Sequence, residues 1–126
     1  MRINSAKDLD VYKKAYLLAM LIFEISKKFP KEELYSLTSQ IRRSSRSVCL
    51  NLREAWAKRR YQAHFVNKLT DSDGENSETD TLLDITKDCR YITDEKYNEL
   101  QGLSTEIGKM LGSMINNPEP FLIKKR

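Results

Sequence analysis

Two stripes of side chains at helical spacing run through residues 29–60, and they constrain the fold more than any other part of the sequence. At about 100° per residue, the apolar stripe stays within about 60° of arc. Its members are Leu34, Leu37, Ile41, Val48, Leu52 and Ala55. An arginine stripe stays within about 40°, roughly 130° around the helix from the apolar one. Its members are Arg42, Arg46, Arg53 and Arg60. The pattern predicts a helix that packs on a core with one face and presents guanidinium groups on another.

Four segments with helical periodicity predict an all-α fold, an up-down-up-down antiparallel four-helix bundle in a single domain spanning 1–126. We expect the helices at about 8–28, 36–60, 62–91 and 94–115, followed by a tail at 116–126. Phe29-Pro30 should end the first helix, because a residue before proline is pushed out of the α region. Ser36 should cap the second helix and Thr93 the fourth.

The other three helices have their own seams of core positions. The first helix uses Val11, Ala15, Leu18, Ile22, Ile25 and Phe29. The third uses Phe65, Leu69, Ser72, Asn76, Thr79, Leu83 and Thr86, and is polar in its middle. The fourth uses Tyr97, Leu100, Ser104, Ile107, Leu111 and Met114. Gly74 lies inside the third helix and costs about 1 kcal/mol relative to alanine. A break near Asp73-Gly74 is therefore an alternative to a continuous helix.

The run Leu17–Phe23 is apolar at every position, which makes the first helix hydrophobic on nearly all sides. A helix at the edge of a small monomeric bundle would keep a polar outer face. The run predicts that this helix is either central or covered by another subunit. The candidate subunit interface is Leu17, Met20, Leu21 and Phe23.

Charge is distributed unevenly along the chain. Residues 31–70 hold nine Lys or Arg against three Asp or Glu, a balance of +6, whereas residues 71–106 hold three against eleven, a balance of -8. Such a chain can bind a polyanion on one side, or bind copies of itself through opposite patches. A mean hydropathy of -0.61 argues against a membrane span. Without a secretory leader we expect a cytoplasmic protein, with Cys49 and Cys89 as small buried side chains.

No group of residues matches a catalytic or metal site, so we expect neither enzymatic activity nor a cofactor. His64, the only histidine, should be a surface residue. Asp71–Glu75 lacks the full ligand pattern of a calcium loop. Di-metal bundles need two Glu-x-x-His motifs. The polar residues of the second and third helices, Asn51, Glu54, Asn76 and Glu78, are therefore expected in hydrogen bonds or on the surface. Gly108 and Gly112 should merely allow close helix approach.

The arginine-rich helix is the strongest functional candidate. Guanidinium groups bind phosphate in a bidentate manner, and a tryptophan beside them could stack on a base. The candidate residues for contact with RNA or DNA are Arg42, Arg43, Arg46, Arg53, Arg60 and Trp56. Two alternatives remain open. The arginines could pair with acids of another subunit or partner, or they could simply be solvated.

Several short blocks resemble a known family. They are Phe29-Pro30-Lys31, the block LTSQIRR from Leu37 to Arg43, and Asn51-Leu52-Arg53-Glu54, followed by Phe65, Leu69, Gly74, Glu78, Thr81, Leu83, Ile85 and Tyr91-Ile92. Over roughly residues 8 to 115, this sequence pattern resembles that of a family of bacterial four-helix-bundle proteins. The family was first named for open reading frames in intervening sequences of large-subunit ribosomal RNA genes.

The resemblance implies a homopentameric ring with a basic surface and no enzymatic activity. A related branch serves as the accessory protein of reverse transcriptases in diversity-generating retroelements and binds both enzyme and nucleic acid, so a reverse transcriptase or another nucleic-acid enzyme is an expected partner. The chain departs from the family's sequence pattern at Ala55-Trp56, where a glycine and an aromatic residue are usual. Lys68 and Asp71 replace apolar residues, and Ser36 replaces a glycine.

Overall fold

Four α-helices make up the fold. The computed structural model describes residues 3–124, and these contain no β-strand. The helices are α1 (Asp10–Ser26), α2 (Ser39–Ala57), α3 (Gln62–Asp88) and α4 (Asp94–Asn116). Each helix packs on the next and α4 returns to α1, so the four enclose one core. The predicted all-α class is confirmed, and the closed order of contacts is consistent with the up-down-up-down arrangement. Among residues 3–124, no helix is both long and apolar enough to cross a membrane.

The predicted seams form the core. In α1, α3 and α4 nearly every seam residue is buried, and only Ile25 and Tyr97 are partly exposed. In α2 the buried members of the apolar stripe are Leu37, Ile41, Val48, Leu52 and Ala55. The helical spacing of apolar residues thus identified the inward face of all four helices.

The start of the second helix differs from the prediction. Ser36 has non-helical backbone angles, φ -127° and ψ -107°, and lies inside a separate π-helical turn, Leu34–Thr38. The cap at this turn is Glu33, whose carboxylate accepts the N–H of Leu37 at 3.4 Å. Glu33 is held in turn by the hydroxyl of Tyr91, which donates to it at 3.0 Å. The predicted Ser36 cap is therefore wrong, because a contact from Tyr91, in the turn that follows α3, fixes this turn.

Helix α3 passes through Gly74 without a break, so the predicted continuous helix is correct. Its polar middle makes hydrogen bonds to both neighbouring helices. The hydroxyl of Ser72 donates to the carbonyl of Val48 at 2.9 Å, and the hydroxyls of Thr79 and Ser44 are 2.8 Å apart. On the other side, the amide of Asn76 donates to the carbonyl of Ser104 at 2.9 Å. Small, satisfied polar side chains at these positions let the helices approach closely at little desolvation cost.

The turn between α3 and α4 combines two caps. Arg90 has φ 63°, a left-handed conformation. Its N–H donates to Lys87 at 2.9 Å, and the N–H of Tyr91 donates to Thr86 at 3.1 Å. This pair of bonds is the Schellman motif that closes a helix C-terminus. Thr93 then caps α4, as predicted, by accepting the N–H of Lys96 at 3.1 Å.

Candidate nucleic-acid interface on helix α2

The outer face of α2 carries arginines, whereas the apolar stripe of the same helix packs in the core. Arg46 and Arg53 lie exposed on this face, with Leu50 between them at 62% exposure. Arg60 lies beyond the end of α2, in the turn that leads to α3, and is also exposed. The second helix therefore ends before the predicted residue 60, and helical spacing places only Arg42, Arg46 and Arg53 on one face of α2.

Arg42 and Arg46 share one ring of α1. The guanidinium carbon of Arg42 is 4.9 Å from the centre of the Phe23 ring, and that of Arg46 is 5.7 Å from it. Arg42 also donates from Nε to the hydroxyl of Ser26 at 2.7 Å. Phe23, predicted at a subunit interface, is half-buried beneath these arginines and beneath Lys27, whose Nζ is 4.7 Å from the ring centre. These cation–π contacts hold the two arginines in fixed positions on the surface.

Arg43 points to α3 instead of lying free. Its guanidinium forms ion pairs with Glu75, at 3.1 Å, and with Glu78. The hydrogen bond to Glu78 is the largest of several contributions that raise the pKa of Arg43. Glu75, an acid of α3, therefore pairs with an arginine of its own chain. Arg43 is therefore already engaged by carboxylates.

All four arginines of the predicted stripe lack a carboxylate partner. Within residues 3–124, no carboxylate lies within 4.0 Å of the guanidinium nitrogens of Arg42, Arg46, Arg53 or Arg60. Arg53 lies close to Tyr12 of α1: burial raises the pKa of this tyrosine, and the positive charge of Arg53 opposes the shift. The stripe thus offers uncompensated positive charge next to aromatic side chains.

Trp56 is not a free stacking surface. It is partly buried against the core, and the guanidinium carbon of Arg59 is 3.7 Å from the centre of its ring. Burial lowers the pKa of Arg59, which also donates from Nε to the carbonyl of Trp56 at 2.8 Å. The carbonyl of Arg59 accepts the N–H of Ile123 at 3.3 Å, so this pair also anchors the C-terminal tail. One face of the tryptophan predicted to stack on a base is covered by its own chain.

A groove that the periodicity did not predict lies at the N-terminal end of α2. It has a volume of about 510 Å³ and is lined by Tyr35, Ser39, Arg42, Arg46 and Leu50, among others. Leu34 also lines it; this residue was predicted in the core but is 46% exposed, because the π-helical turn swings it outward. Tyr35 is 92% exposed.

The predicted subunit interface on α1 is only partly exposed. Leu17 is 48% and Met20 is 45% exposed, and they adjoin Tyr16, which is 55% exposed and was not included in the prediction. Leu21 instead packs against the core as a partly buried residue. The outer face of α1 therefore carries a smaller apolar patch than the full run suggested, made of Tyr16, Leu17 and Met20.

His64, the segment Asp71–Glu75 and Lys68 make contacts within the chain or belong to regular helix. His64 is exposed and packs edge-on against Tyr61, with ring centres 5.5 Å apart. Asp71–Glu75 belongs to α3, and within residues 3–124 no three His, Cys, Asp or Glu side chains come together as a metal site. Lys68 is held by Glu54 at 2.6 Å and by Asp71 at 3.7 Å, so the charges that replace apolar family residues compensate one another.

The two cysteines differ from each other. Cys49 is buried as predicted, and burial raises the pKa of its thiol to about 11. Cys89 follows the end of α3 and is exposed, so its predicted burial is wrong. The reason is the short cap that closes α3, which leaves no helix over this position. Both thiols are free.

Asp80 and Gly108 lie along a polar groove between α3 and α4. One carboxylate oxygen of Asp80 is buried without a hydrogen-bond partner among the described residues, and burial, followed by the charge of Asp84, raises its pKa. A Cβ atom on Gly108 would lie 3.4 Å from the amide nitrogen of Asn76, whereas the corresponding atom on Gly112 would meet nothing within 4 Å. Gly108 thus lies where α4 approaches the buried amide of α3, as predicted, whereas the close approach predicted at Gly112 is wrong.

Comparisons with known proteins agree with this fold. The model of the family described as 23S rRNA-intervening sequence protein matches residues 7–113. A solved structure of a protein of unknown function, from the S23 ribosomal protein family of Bacteroides thetaiotaomicron, is 34% identical to this chain. The alignment covers 85% of this chain and 96% of that one, with a TM-score of 0.77. No curated protein matches the chain. On the match to most of its length and on the shared fold, this chain belongs to the 23S rRNA-intervening sequence protein family.

Proposed function

We propose that this protein is a non-catalytic binding protein that assembles as a homo-oligomer, a pentameric ring, and contacts RNA or DNA through the outer face of α2. Its role would be that of an accessory to a nucleic-acid enzyme such as a reverse transcriptase. The observation that carries the proposal is the row Arg42, Arg46 and Arg53 on α2, whose guanidinium groups have no carboxylate partner within residues 3–124.

The spacing of the row suits a phosphate backbone. Arg42 and Arg53 are separated by eleven residues, which is about 16 Å along a helix. A nucleic-acid strand presents a phosphate about every 3.4 Å within a duplex, so several phosphates fall within reach of this row. Arg42 and Arg46 are already ordered by the ring of Phe23, which lowers the entropy lost when they bind.

The distribution of charge supports a polyanionic ligand on this side. Two acidic residues of α3 that face α2, Glu75 and Glu78, pair with Arg43. They therefore neutralise one arginine and leave the neighbouring ones uncompensated.

The test is a titration of the full chain with fluorescently labelled RNA and DNA at several salt concentrations. For the parent protein we expect affinity to fall steeply as salt rises, because bound phosphates release counterions. The double variant Arg46→Gln and Arg53→Gln should bind about tenfold or more weakly to every sequence. Its salt slope should be shallower by about one for each lost contact, with an unchanged oligomer.

Arg43→Gln is the matched control, since it removes an arginine from the same helix that already has carboxylate partners. We expect it to change the affinity and the salt slope less than either exposed arginine does. Equal losses at Arg43 and at Arg46 would contradict the assignment of the unpaired row.

A purely structural role is the second candidate. The outer face of α3 exposes Glu78, Asp84 and Asp88, with Ile85 among them at 44% exposure. This acidic surface could receive the arginine row of another copy. Under that reading the parent protein would ignore nucleic acid, and the double arginine variant would break the oligomer, so the same experiment separates the two functions.

A further inference from the structure

The backbone of Tyr35 lies in an anchored turn, but its side chain is almost entirely exposed to solvent. It is 92% exposed, the highest value among the large hydrophobic side chains described. The turn that carries it is anchored on both sides of the tyrosine. Leu37 and Thr38 are buried, and Glu33 links the N–H of Leu37 to the hydroxyl of Tyr91. The hydroxyl of Ser39 donates to the carbonyl of Ser36 at 3.0 Å and ties the turn to α2.

The exposed ring gains nothing for folding, because burial of apolar area is what makes an aromatic side chain stabilising. It lines the same groove as Arg42 and Arg46, which carry the positive charge of this end of α2. An aromatic face beside a row of cations is the arrangement by which proteins bind single-stranded nucleic acid: the cations follow the phosphates, and the ring stacks on a base.

We propose that Tyr35 is a stacking platform for an unpaired base of single-stranded RNA or DNA, whose backbone lies along Arg42 and Arg46. This inference rests on the proposed function and adds a preference to it. In a duplex the bases are stacked on each other and present only their edges, so a lone surface tyrosine cannot reach a base face. The groove should therefore favour single strands over duplexes, with little dependence on base identity.

The experiment compares the affinity of the parent protein and of Tyr35→Ala for a labelled single-stranded oligonucleotide and for a duplex of the same length. We expect Tyr35→Ala to weaken single-strand binding by about tenfold, the effect of losing one base–aromatic stack. Duplex binding should change by less than about twofold, because phosphate contacts alone carry it.

Two substitutions separate stacking from general apolar contact. Tyr35→Trp keeps an aromatic face and should preserve single-strand affinity, whereas Tyr35→Leu keeps apolar area without a π-face and should lose it like alanine. The tryptophan variant adds a second readout in a Trp56→Phe background, where quenching of fluorescence by single-stranded oligonucleotide would report the stack directly. Circular dichroism of each variant establishes that the fold is intact.

If all Tyr35 variants bind single strands equally while the arginine variants lose affinity, the stacking platform is wrong and the proposed function stands. If leucine serves as well as tryptophan, the groove binds through apolar contact and the inference is likewise overturned. Absence of binding to both single strands and duplexes would overturn the proposed function as well.

Discussion

The arginines of α2 show how the neighbours of a side chain decide what it can do. Arg43 is paired with two carboxylates of α3, whereas Arg42 is tied to a serine hydroxyl and lies over an aromatic ring. Arg46 shares that ring but has no carboxylate partner in the described chain, and so keeps its donors for a ligand. One residue type thus lies over an aromatic ring, pairs with carboxylates, or keeps donors without a carboxylate partner, all within about two turns of a helix.

Arg90 is a residue at which we expect a single change to stabilise the protein. Its φ of 63° is left-handed, a conformation in which the Cβ atom comes too close to the following carbonyl oxygen. For a residue with a Cβ atom this costs about 1 kcal/mol or more. Replacement by glycine removes that cost, although glycine also has more freedom in the unfolded chain. Arg90→Gly should therefore raise the free energy of unfolding by about 1 kcal/mol, measured by urea denaturation at a fixed protein concentration.

Arg90→Ala is the control for this prediction. It removes the same charged side chain but keeps the Cβ atom, and should give no comparable gain. An alanine variant as stable as the glycine variant would show that the charge, and not the backbone conformation, sets the stability of this turn.

The candidate site could be predicted at the residue scale only as far as one helix determines it. Periodicity placed Arg46 and Arg53 on the outer face, where the structure has them. It could not foresee that Arg43 meets Glu75 and Glu78, since this depends on the relative position of two helices. Nor could it foresee that Arg59 covers Trp56, because both lie near a helix end where the regular spacing stops.

At the scale of elements, α3 was the helix with the weakest apolar pattern, yet its seam was predicted correctly. Ser72, Asn76 and Thr79 are buried at the positions that heptad spacing assigned to them. The start of α2 was predicted wrongly because, like the ion pairs of Arg43, it depends on a contact with a distant part of the chain. The turn before it depends on the hydroxyl of Tyr91, which is 58 residues away from Glu33. Local patterns determine the faces of helices, whereas distant contacts determine some of their ends.

Gly74 allows a test of how much backbone freedom α3 retains. It lies in the interior of the helix, and a Cβ atom built there meets nothing within 4 Å. Gly74→Ala should therefore stabilise the protein by about 1 kcal/mol, the difference between the two residues inside a helix. The midpoint of thermal unfolding, followed by circular dichroism, should rise by about 4 °C.

Gly108→Ala is the comparison for this change, because the same methyl group would touch the amide nitrogen of Asn76 at 3.4 Å. It has the same helix propensity but should give a smaller gain or a loss. If both variants gained equally, close approach at Gly108 would have no energetic consequence. If Gly74→Ala were destabilising, the helix would need the flexibility of glycine at that position.

At the scale of the whole molecule, two of the surfaces that residues 3–124 expose matter for assembly and binding. One is the arginine row on α2, and the other is the apolar patch Tyr16, Leu17 and Met20 on α1. The two are adjacent, since Phe23 of α1 lies beneath Arg42 and Arg46. Assembly through the α1 patch would therefore repeat the basic surface beside each seam between subunits, and several weak phosphate contacts would act together on one strand.

Assembly through α1 is tested by substituting glutamate into the apolar patch of this helix. The parent protein should scatter light as an oligomer at micromolar concentration, well above the 14.7 kDa of one chain. Leu17 and Met20 are about half exposed in the monomer, so a glutamate at either position leaves the bundle intact. In the assembled protein the same glutamates would be buried without a partner, which is strongly unfavourable. The double variant Leu17→Glu and Met20→Glu should therefore be a folded monomer.

Ile85→Glu, with a comparable exposure of 44% on α3, should leave the oligomer unchanged. A monomeric parent would contradict the assembly itself, and dissociation by Ile85→Glu but not by the α1 variant would place the subunit interface on the acidic face of α3.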